Sequence, residues 1–354
     1  MPRPRVNDIA RQSGLSRATV DRVLHGRPGV RPETVAQVEQ AIAELDRQRH
    51  QVHLAGQSLM LDLVMQAPDR FASACRRALE TELPSLRPAT IRVRSHLREG
   101  SHPAAAAATL DAVTEHGSDG VILKAPDDPV VVAAVDRMVA AGVPVVTFVT
   151  DVKNSRRAAY AGVDNRGAGA TAAYLVTGWA PAIGDVLVTL SSAAFRGEEE
   201  RALAFAETMQ ALAPGHRVIE VGDTDGLDTT MLSPVRRTLQ AHPAIDGVYS
   251  PGGGNRATLA AFEETGRVPA VFVAHDLDAD NRALLRSRRI TAVLHHDLRA
   301  DLRRACRLLL QARGVLPGSP LTVPSQVQVV TPYNEPAGLL PDADRDPLGP
   351  ATQS

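Results

Sequence analysis

From Leu59 onward short apolar runs alternate with alanine-rich stretches of helical length, and that alternation is the habit of βαβ units feeding a parallel sheet. The runs read as strands at Leu61–Met65, Ile91–Ser95, Gly120–Leu123, Val143–Val149, Tyr160–Val163, Asp185–Thr189, Val218–Val221, Gly247–Tyr249, Val271–Ala274 and Thr291–Leu294. So many strands exceed what one modest sheet domain holds, so two lobes are expected. A final run, Leu321–Val330, is expected to return between them as a crossover strand. The tail from Pro336, rich in Pro, Asp and Gly, reads as disordered.

The N-terminus has a different texture. Residues 1–31 carry Arg3, Arg5, Arg11, Arg17, Arg22, Arg27 and Arg31 against Asp8 and Asp21, so seven minus two gives a local +5 on a chain whose formal net charge is -1. Such an end seeks phosphate. Val6, Ile9 and Ala10 keep helical spacing until Ser13-Gly14-Leu15 interrupts it, and Ser16 can cap a second helix. That helix, Arg17 to His25, puts Val20, Val23 and Leu24 on one face and leaves Arg17, Ala18, Asp21 and Arg22 off it. Pro32 then opens a third helix with Val35, Val38, Ile42 and Leu45 inward. Three short helices around so small a core make a helix-turn-helix module, whose second helix enters the major groove.

Val6-Asn7-Asp8-Ile9-Ala10, Gly14-Leu15-Ser16, Thr19-Val20-Asp21-Arg22-Val23-Leu24 and Val30-Arg31-Pro32-Glu33-Thr34 resemble the headpiece of the lactose/galactose repressor (LacI/GalR) family without a gap over residues 5–45. The resemblance implies that Arg17, Ala18 and Arg22 touch base edges. The chemistry agrees, because a guanidinium can bridge guanine O6 and N7 and a small alanine can meet a thymine methyl. Arg5, Asn7 and Thr19 are expected to position phosphates. Asp21 departs from the family, which mostly has a phosphate-contacting serine there. It is expected to orient Arg17 as an i,i+4 pair, with acceptance from cytosine N4 as the alternative. The linker departs as well. Leu54-Ala55 resembles the minor-groove pair of the family's hinge helix, yet the usual aromatic and proline are missing before it. Leu54 either serves that hinge or begins the next core.

Further strings resemble the same family, and more closely a subset with cores like those of sugar-binding proteins: Asp119-Gly120-Val121-Ile122, Val145-Val146-Thr147-Phe148, Tyr160-Ala161-Gly162-Val163-Asp164-Asn165, Gly252-Gly253-Gly254-Asn255 and Ala274-His275-Asp276. The resemblance implies an all-α helix-turn-helix headpiece joined to an α/β core of two Rossmann-like lobes, the type I periplasmic-binding-protein fold. Expected divisions are a headpiece at 1–45, a hinge or linker at 46–58, a core at 59–331 and a tail at 332–354. Lobe 1 would hold 59–161 and 293–319, and lobe 2 would hold 162–290 and 320–331. Ligand would lie between the lobes at the strands' C-terminal ends. Phe71 resembles the family's sugar-stacking aromatic. Phe195 either stacks or anchors its loop. Asp151, Arg201 and Asp276 supply the acceptors and donors that vicinal hydroxyls need. Asn255 and Asp164 each either contact ligand or cap a helix. His296 stands where the family often has a glutamine near ligand.

Rival classes are weaker. Gly167-Ala168-Gly169-Ala170-Thr171-Ala172 fits a dinucleotide fingerprint, so an NAD-type oxidoreductase is the alternative, but Leu190-Ser191-Ser192 stands where a ribose-binding acid should end the next strand. Small residues for close helix packing explain the same string. His295-His296-Asp297 does not make one chelate easily, because adjacent side chains on a strand point to opposite faces. No nucleophile, base and orienter occur together. Cys75 and Cys306 lie far apart within helical patterns and read as reduced, buried thiols. No apolar run is long enough to span a membrane and the first residues lack an apolar signal core, so a cytoplasmic protein is expected instead of a transported solute-binding protein. The sum is a non-enzymatic transcription regulator, expected to be a dimeric repressor on a pseudopalindromic double-stranded operator, with no cofactor and with a small polar effector. A sugar or polyol is expected, and a purine is the alternative.

Overall fold

The computed structural model describes residues 4–54, 58–86, 90–180, 184–191, 195–222 and 224–336, with 47–54 as backbone. The expected hinge residue Ala55, the side chain of Leu54 and most of the tail lie outside that description. The headpiece opens with α1 (Val6–Ser13) and α2 (Arg17–Leu24). Gly14 makes the turn between them at φ 68°, where its N–H reaches the Ala10 carbonyl. Ser16 caps α2 by accepting from Thr19 N–H at 3.1 Å. Ile9, Ala10, Val20, Val38 and Ala41 form the small core. The third helix, α3 (Pro32–Leu54), runs nine residues past the expected end at Leu45. Residues 46–54 contain neither glycine nor proline, so nothing in them stops a helix, and the expected linker from residue 46 is helical as far as Leu54.

Lobe 1 follows as β1 (Ser58–Gln66), α4 (Asp69–Glu82), β2 (Thr90–Arg98), α5 (Pro103–Glu115), β3 (Gly120–Lys124), α6 (Pro129–Ala140), β4 (Val145–Phe148) and β5 (Ala159–Ala161). Its sheet is parallel in the order β2-β1-β3-β4-β5. Lobe 2 contains α7 (Asn165–Trp179), β6 (Asp185–Thr189), α8 (Arg196–Leu212), β7 (Val218–Val221), α9 (Asp228–Ala241), β8 (Ile245–Ser250), α10 (Asn255–Glu264), β9 (Val271–His275), α11 (Ala279–Arg286) and β10 (Ala292–His295). The chain then returns to lobe 1 as α12 (Leu298–Ala312), and β11 (Gln328–Val330) closes lobe 2 antiparallel to β10. The second sheet has the order β11-β10-β9-β8-β6-β7. Each expected strand has its counterpart, fully buried in β3, β4, β5, β6, β9 and β10 as helices on both faces require.

One boundary moves. Val293, Leu294 and His295 were expected in lobe 1, but they pair with β9 and β11 inside the lobe 2 sheet. The chain crosses at His296-Asp297, where Asp297 caps α12 by accepting from Ala300 N–H at 3.0 Å. Helix α12 buries Leu302, Cys306 and Leu309 in the lobe 1 core beside Cys75 of α4. Burial raises both thiols, Cys306 to about 12. Among the described residues no helix is long and apolar enough to cross a membrane.

Candidate ligand cleft and DNA-binding face

The two sheets point their C-terminal strand ends at each other across a cleft. Lobe 1 contributes Phe71 behind β1, Lys124 at the end of β3, and Val149 and Thr150 behind β4. Lobe 2 contributes Phe195, Glu198 and Arg201 from the start of α8, the glycines behind β8, His275 at the end of β9, Asp276 just after it and Asn281 from α11. Val149 (φ 66°) and Asp276 (φ 64°) hold left-handed backbone conformations on opposite walls. For a β-branched residue and an aspartate at a cleft, that strain is a mark of a functional site.

Hydrogen bonds leave a specific set of atoms unspent. Five buried side-chain atoms among the described residues have no partner, and four of them belong to Arg201, Asn255, Asp276 and His296. Arg201 is 2% exposed and donates through Nε to Asn165 Oδ1 at 2.7 Å, while its Nη2 is unmatched. Asp276 Oδ1 and His296 Nε2 are both unmatched and lie 3.6 Å apart, too far for a hydrogen bond. Asn255 donates to Asn281 Oδ1 at 2.6 Å and leaves its own Oδ1 open. A buried polar atom without a partner costs about 1–3 kcal/mol, so a ligand that supplies partners recovers that energy.

Both charge signs face the cleft. Lys124 Nζ donates to the Gln66 carbonyl at 2.9 Å and stands 3.9 Å over the Phe195 ring, and burial lowers its pKa. Burial raises Glu198, whose carboxylate accepts from Ser191 N–H (2.9 Å) and hydroxyl (2.7 Å). Burial also drives His275 well below its usual range, so it is neutral near pH 7 beside Tyr249. Mixed charge with spare donors and acceptors suits a polyhydroxy compound better than a multiply charged one.

The structure brings Phe71, Phe195, Arg201 and Asp276 onto the cleft wall, with Asn255 and His296 buried and each bonded or close to a wall residue. Asp151, expected at the ligand, stands elsewhere, and Asp164 takes the second of its two expected roles. Asp151 is held bidentately by Arg157 and accepts from Thr147 at 2.6 Å, so its carboxylate is spent inside lobe 1. Asp164 is exposed and caps α7 by accepting from Gly167 N–H at 3.0 Å. Lys124, Glu198 and Asn281 went unread in the sequence. A lysine closing an otherwise apolar strand was the available signal for the first.

The glycine string in α7 has a packing cause. A Cβ on Gly169 would collide with the Arg201 carbonyl, lying 2.9 Å from its carbon, so the missing side chain lets α8 approach and sets Arg201 in place. Among the described residues no group of three or more His, Cys, Asp or Glu could hold a metal ion. His295 is buried at a pKa of about 4 and Asp297 is the α12 cap.

In the headpiece Arg17 and Ala18 stand exposed at the start of α2, with Arg5 and Asn7 exposed around the start of α1. Thr19 shares a hydrogen bond with Ser16 at 2.8 Å. Arg22 donates to the Pro28 carbonyl at 2.7 Å, which fixes it against the loop after α2. The expected Arg17–Asp21 pair is absent. Asp21 turns to His25 (3.2 Å) and Arg27 (3.6 Å), consistent with the better helical geometry of an acid placed N-terminal to its basic partner.

Residues 63–314 match the periplasmic binding protein domain family, and residues 5–48 match the lacI family of bacterial regulatory proteins. A search of the curated proteins finds no match. Among solved structures the chain resembles a glucose-galactose binding protein from Geobacillus stearothermophilus (16% identity, 79% of this chain and 99% of that one, TM-score 0.71). It also resembles an ABC transporter solute-binding protein from Burkholderia graminis in complex with D-arabinose (21% identity, 80% and 98%, TM-score 0.71). A solute-binding protein from Actinobacillus succinogenes with bound D-allose is similar as well (15% identity, 78% and 98%, TM-score 0.67). At these identities the likeness is one of fold.

Proposed function

Because the chain belongs to the periplasmic binding protein domain family and carries a lacI-family DNA-binding domain at its N-terminus, we propose that it is a transcription regulator whose grip on DNA responds to a sugar or polyol. The observation that carries the effector half is the set of unmatched polar atoms on Arg201, Asp276, His296 and Asn255, gathered between two lobes with Phe71 on the wall. Arg201 offers a donor, Asp276 and Asn255 offer acceptors, and the His296 ring nitrogen serves as either, the mix that adjacent hydroxyl groups satisfy. Structural neighbours that bind glucose and galactose, arabinose or allose support the same class.

On DNA, Arg17 and Ala18 read base edges from the start of α2, and Arg22 does so once contact with the duplex frees it from Pro28. Arg5, Asn7 and Thr19 hold phosphates. One headpiece reads few base pairs, so the working form is a homodimer on a pseudopalindromic operator in the cytoplasm. Effector binding favours one arrangement of the lobes, and that arrangement shifts operator affinity by a coupling energy of about 1–3 kcal/mol, relieving repression.

A thermal-shift screen of sugars, polyols and nucleobases tests the effector class. A sugar or polyol at 100 times its Kd should stabilise the chain by about 2.7 kcal/mol. Stabilisation by purines alone would overturn the carbohydrate assignment.

A further inference from the structure

The chain passes between the lobes three times, and the three passages meet in one hydrogen-bonded cluster. Ser325, in the third, donates its N–H to the Gly162 carbonyl at 2.8 Å and accepts from Asp164 N–H at 2.9 Å, both in the first. Its hydroxyl donates to Asp301 Oδ2 at 3.1 Å. Asp301 is 1% exposed on α12, and the same Oδ2 lies 2.6 Å from Nδ1 of His296, in the second passage. An ionised carboxylate only accepts, so Nδ1 carries a hydrogen toward Asp301, and Nε2 is left unmatched 3.6 Å from Asp276 Oδ1.

A second branch joins the opposite part of the cleft. Arg201 Nε donates to Asn165 Oδ1, and Asn165 Nδ2 donates to the Tyr160 hydroxyl at 3.3 Å. Tyr160 shares its own hydrogen between the carbonyls of Val149 (3.1 Å) on the cleft wall and Val163 (3.0 Å) in the first passage. Unmatched atoms on both Arg201 and His296 thus connect by unbroken hydrogen bonds to the segments that must rotate when the lobes move.

We infer that Asp301 is a positioning residue for the effector response: it holds the His296 ring with Nε2 turned to Asp276 at the cleft and ties that ring, through Ser325, to the inter-lobe passages. A ligand hydrogen donated between Nε2 and Asp276 is then felt where the lobes hinge. This role rests on the effector reading above, but the tie itself is measurable in the free protein.

The test is hydrogen exchange on the full chain with Ser325→Ala, His296→Asn and their double variant, together with nitrogen NMR of labelled histidine. Wild type should show His296 with its hydrogen on Nδ1. Each single variant should speed exchange of the Asp164 and Ser325 amides at least about tenfold while β1 and β6 amides keep their rates, and the double variant should add little, as one shared tie requires. Asp301→Asn should weaken the Nδ1–H preference. Unchanged exchange at the passages, fully additive effects, or a wild-type His296 without a hydrogen on Nδ1 would overturn the proposal. A wild type that D-glucose, D-galactose and D-arabinose all fail to stabilise would contradict the effector reading while leaving the exchange result to decide the tie.

Discussion

Two glycines of one helix should respond in opposite directions to the same substitution. Gly169 and Gly178 both lie in α7, and neither has positive φ. At Gly178 an added Cβ meets nothing within 4 Å. Gly178→Ala therefore gains the helix preference of alanine, about 0.5–1 kcal/mol. At Gly169 the same Cβ would stand 2.9 Å from the Arg201 carbonyl carbon and 3.1 Å from its Cα, with the oxygen closer still. Backbone cannot swing aside as a side chain does, so α8 must retreat by roughly 1 Å, an overpacking cost of about 1–3 kcal/mol. The retreat also stretches the 2.7 Å Arg201–Asn165 bond past useful geometry. Losing a charged hydrogen bond removes about 1.5–3 kcal/mol, so effector affinity should fall roughly 10-fold to 150-fold. Thermal unfolding and calorimetric titration of both variants measure this. A Gly169→Ala protein as stable as wild type with unchanged effector affinity would refute the claim that this glycine sets Arg201.

Asp151→Ala should lower stability by about 2–3 kcal/mol in denaturant unfolding, less than a fully buried pair because Arg157 is 17% exposed, and should leave effector affinity within about threefold. His275 and His295 are neutral when folded, with pKa values below that of the unfolded chain, so their stability contribution is complete above about pH 6.5 and is lost as pH falls toward 4. Unfolding free energy should fall between about pH 6.5 and 5, with His295 contributing about 2 kcal/mol of that fall, and His295→Gln should remove that contribution. In a binding-site selection Arg17→Ala should cost about 1–3 kcal/mol and relax preference at one base pair. Asp21→Ser should leave the preference intact, since Asp21 engages His25 and Arg27 instead of Arg17.

Much of the architecture was legible because burial on both faces writes parallel strands as apolar runs, and Gly14, Ser16 and Pro32 punctuate the headpiece by backbone chemistry alone. Boundaries were less legible. Nothing local says which lobe β10 joins, because that is decided by pairing with β9 and β11, distant in sequence. The same limit governs the site. Asp276 and Arg201 sit at strand and helix ends that topology aims into the cleft. Asp151 occupies an equivalent place in the sequence, yet Arg157, six residues later, folds back and claims it. Lys124 showed in the sequence only as a lysine closing an apolar strand, since its place beside Phe195 depends on contact across the lobes.

The central claim is that one molecule reads DNA and a sugar and couples the two. The direct measurement is fluorescence anisotropy of a labelled duplex recovered by binding-site selection with the full chain, titrated with and without the sugar that most stabilises the protein. A pseudopalindromic duplex should bind far more tightly than scrambled DNA, with affinity shifted about 5-fold to 150-fold by saturating sugar and not by purines. Equal affinity for scrambled DNA, or an operator affinity that no sugar changes, would contradict it.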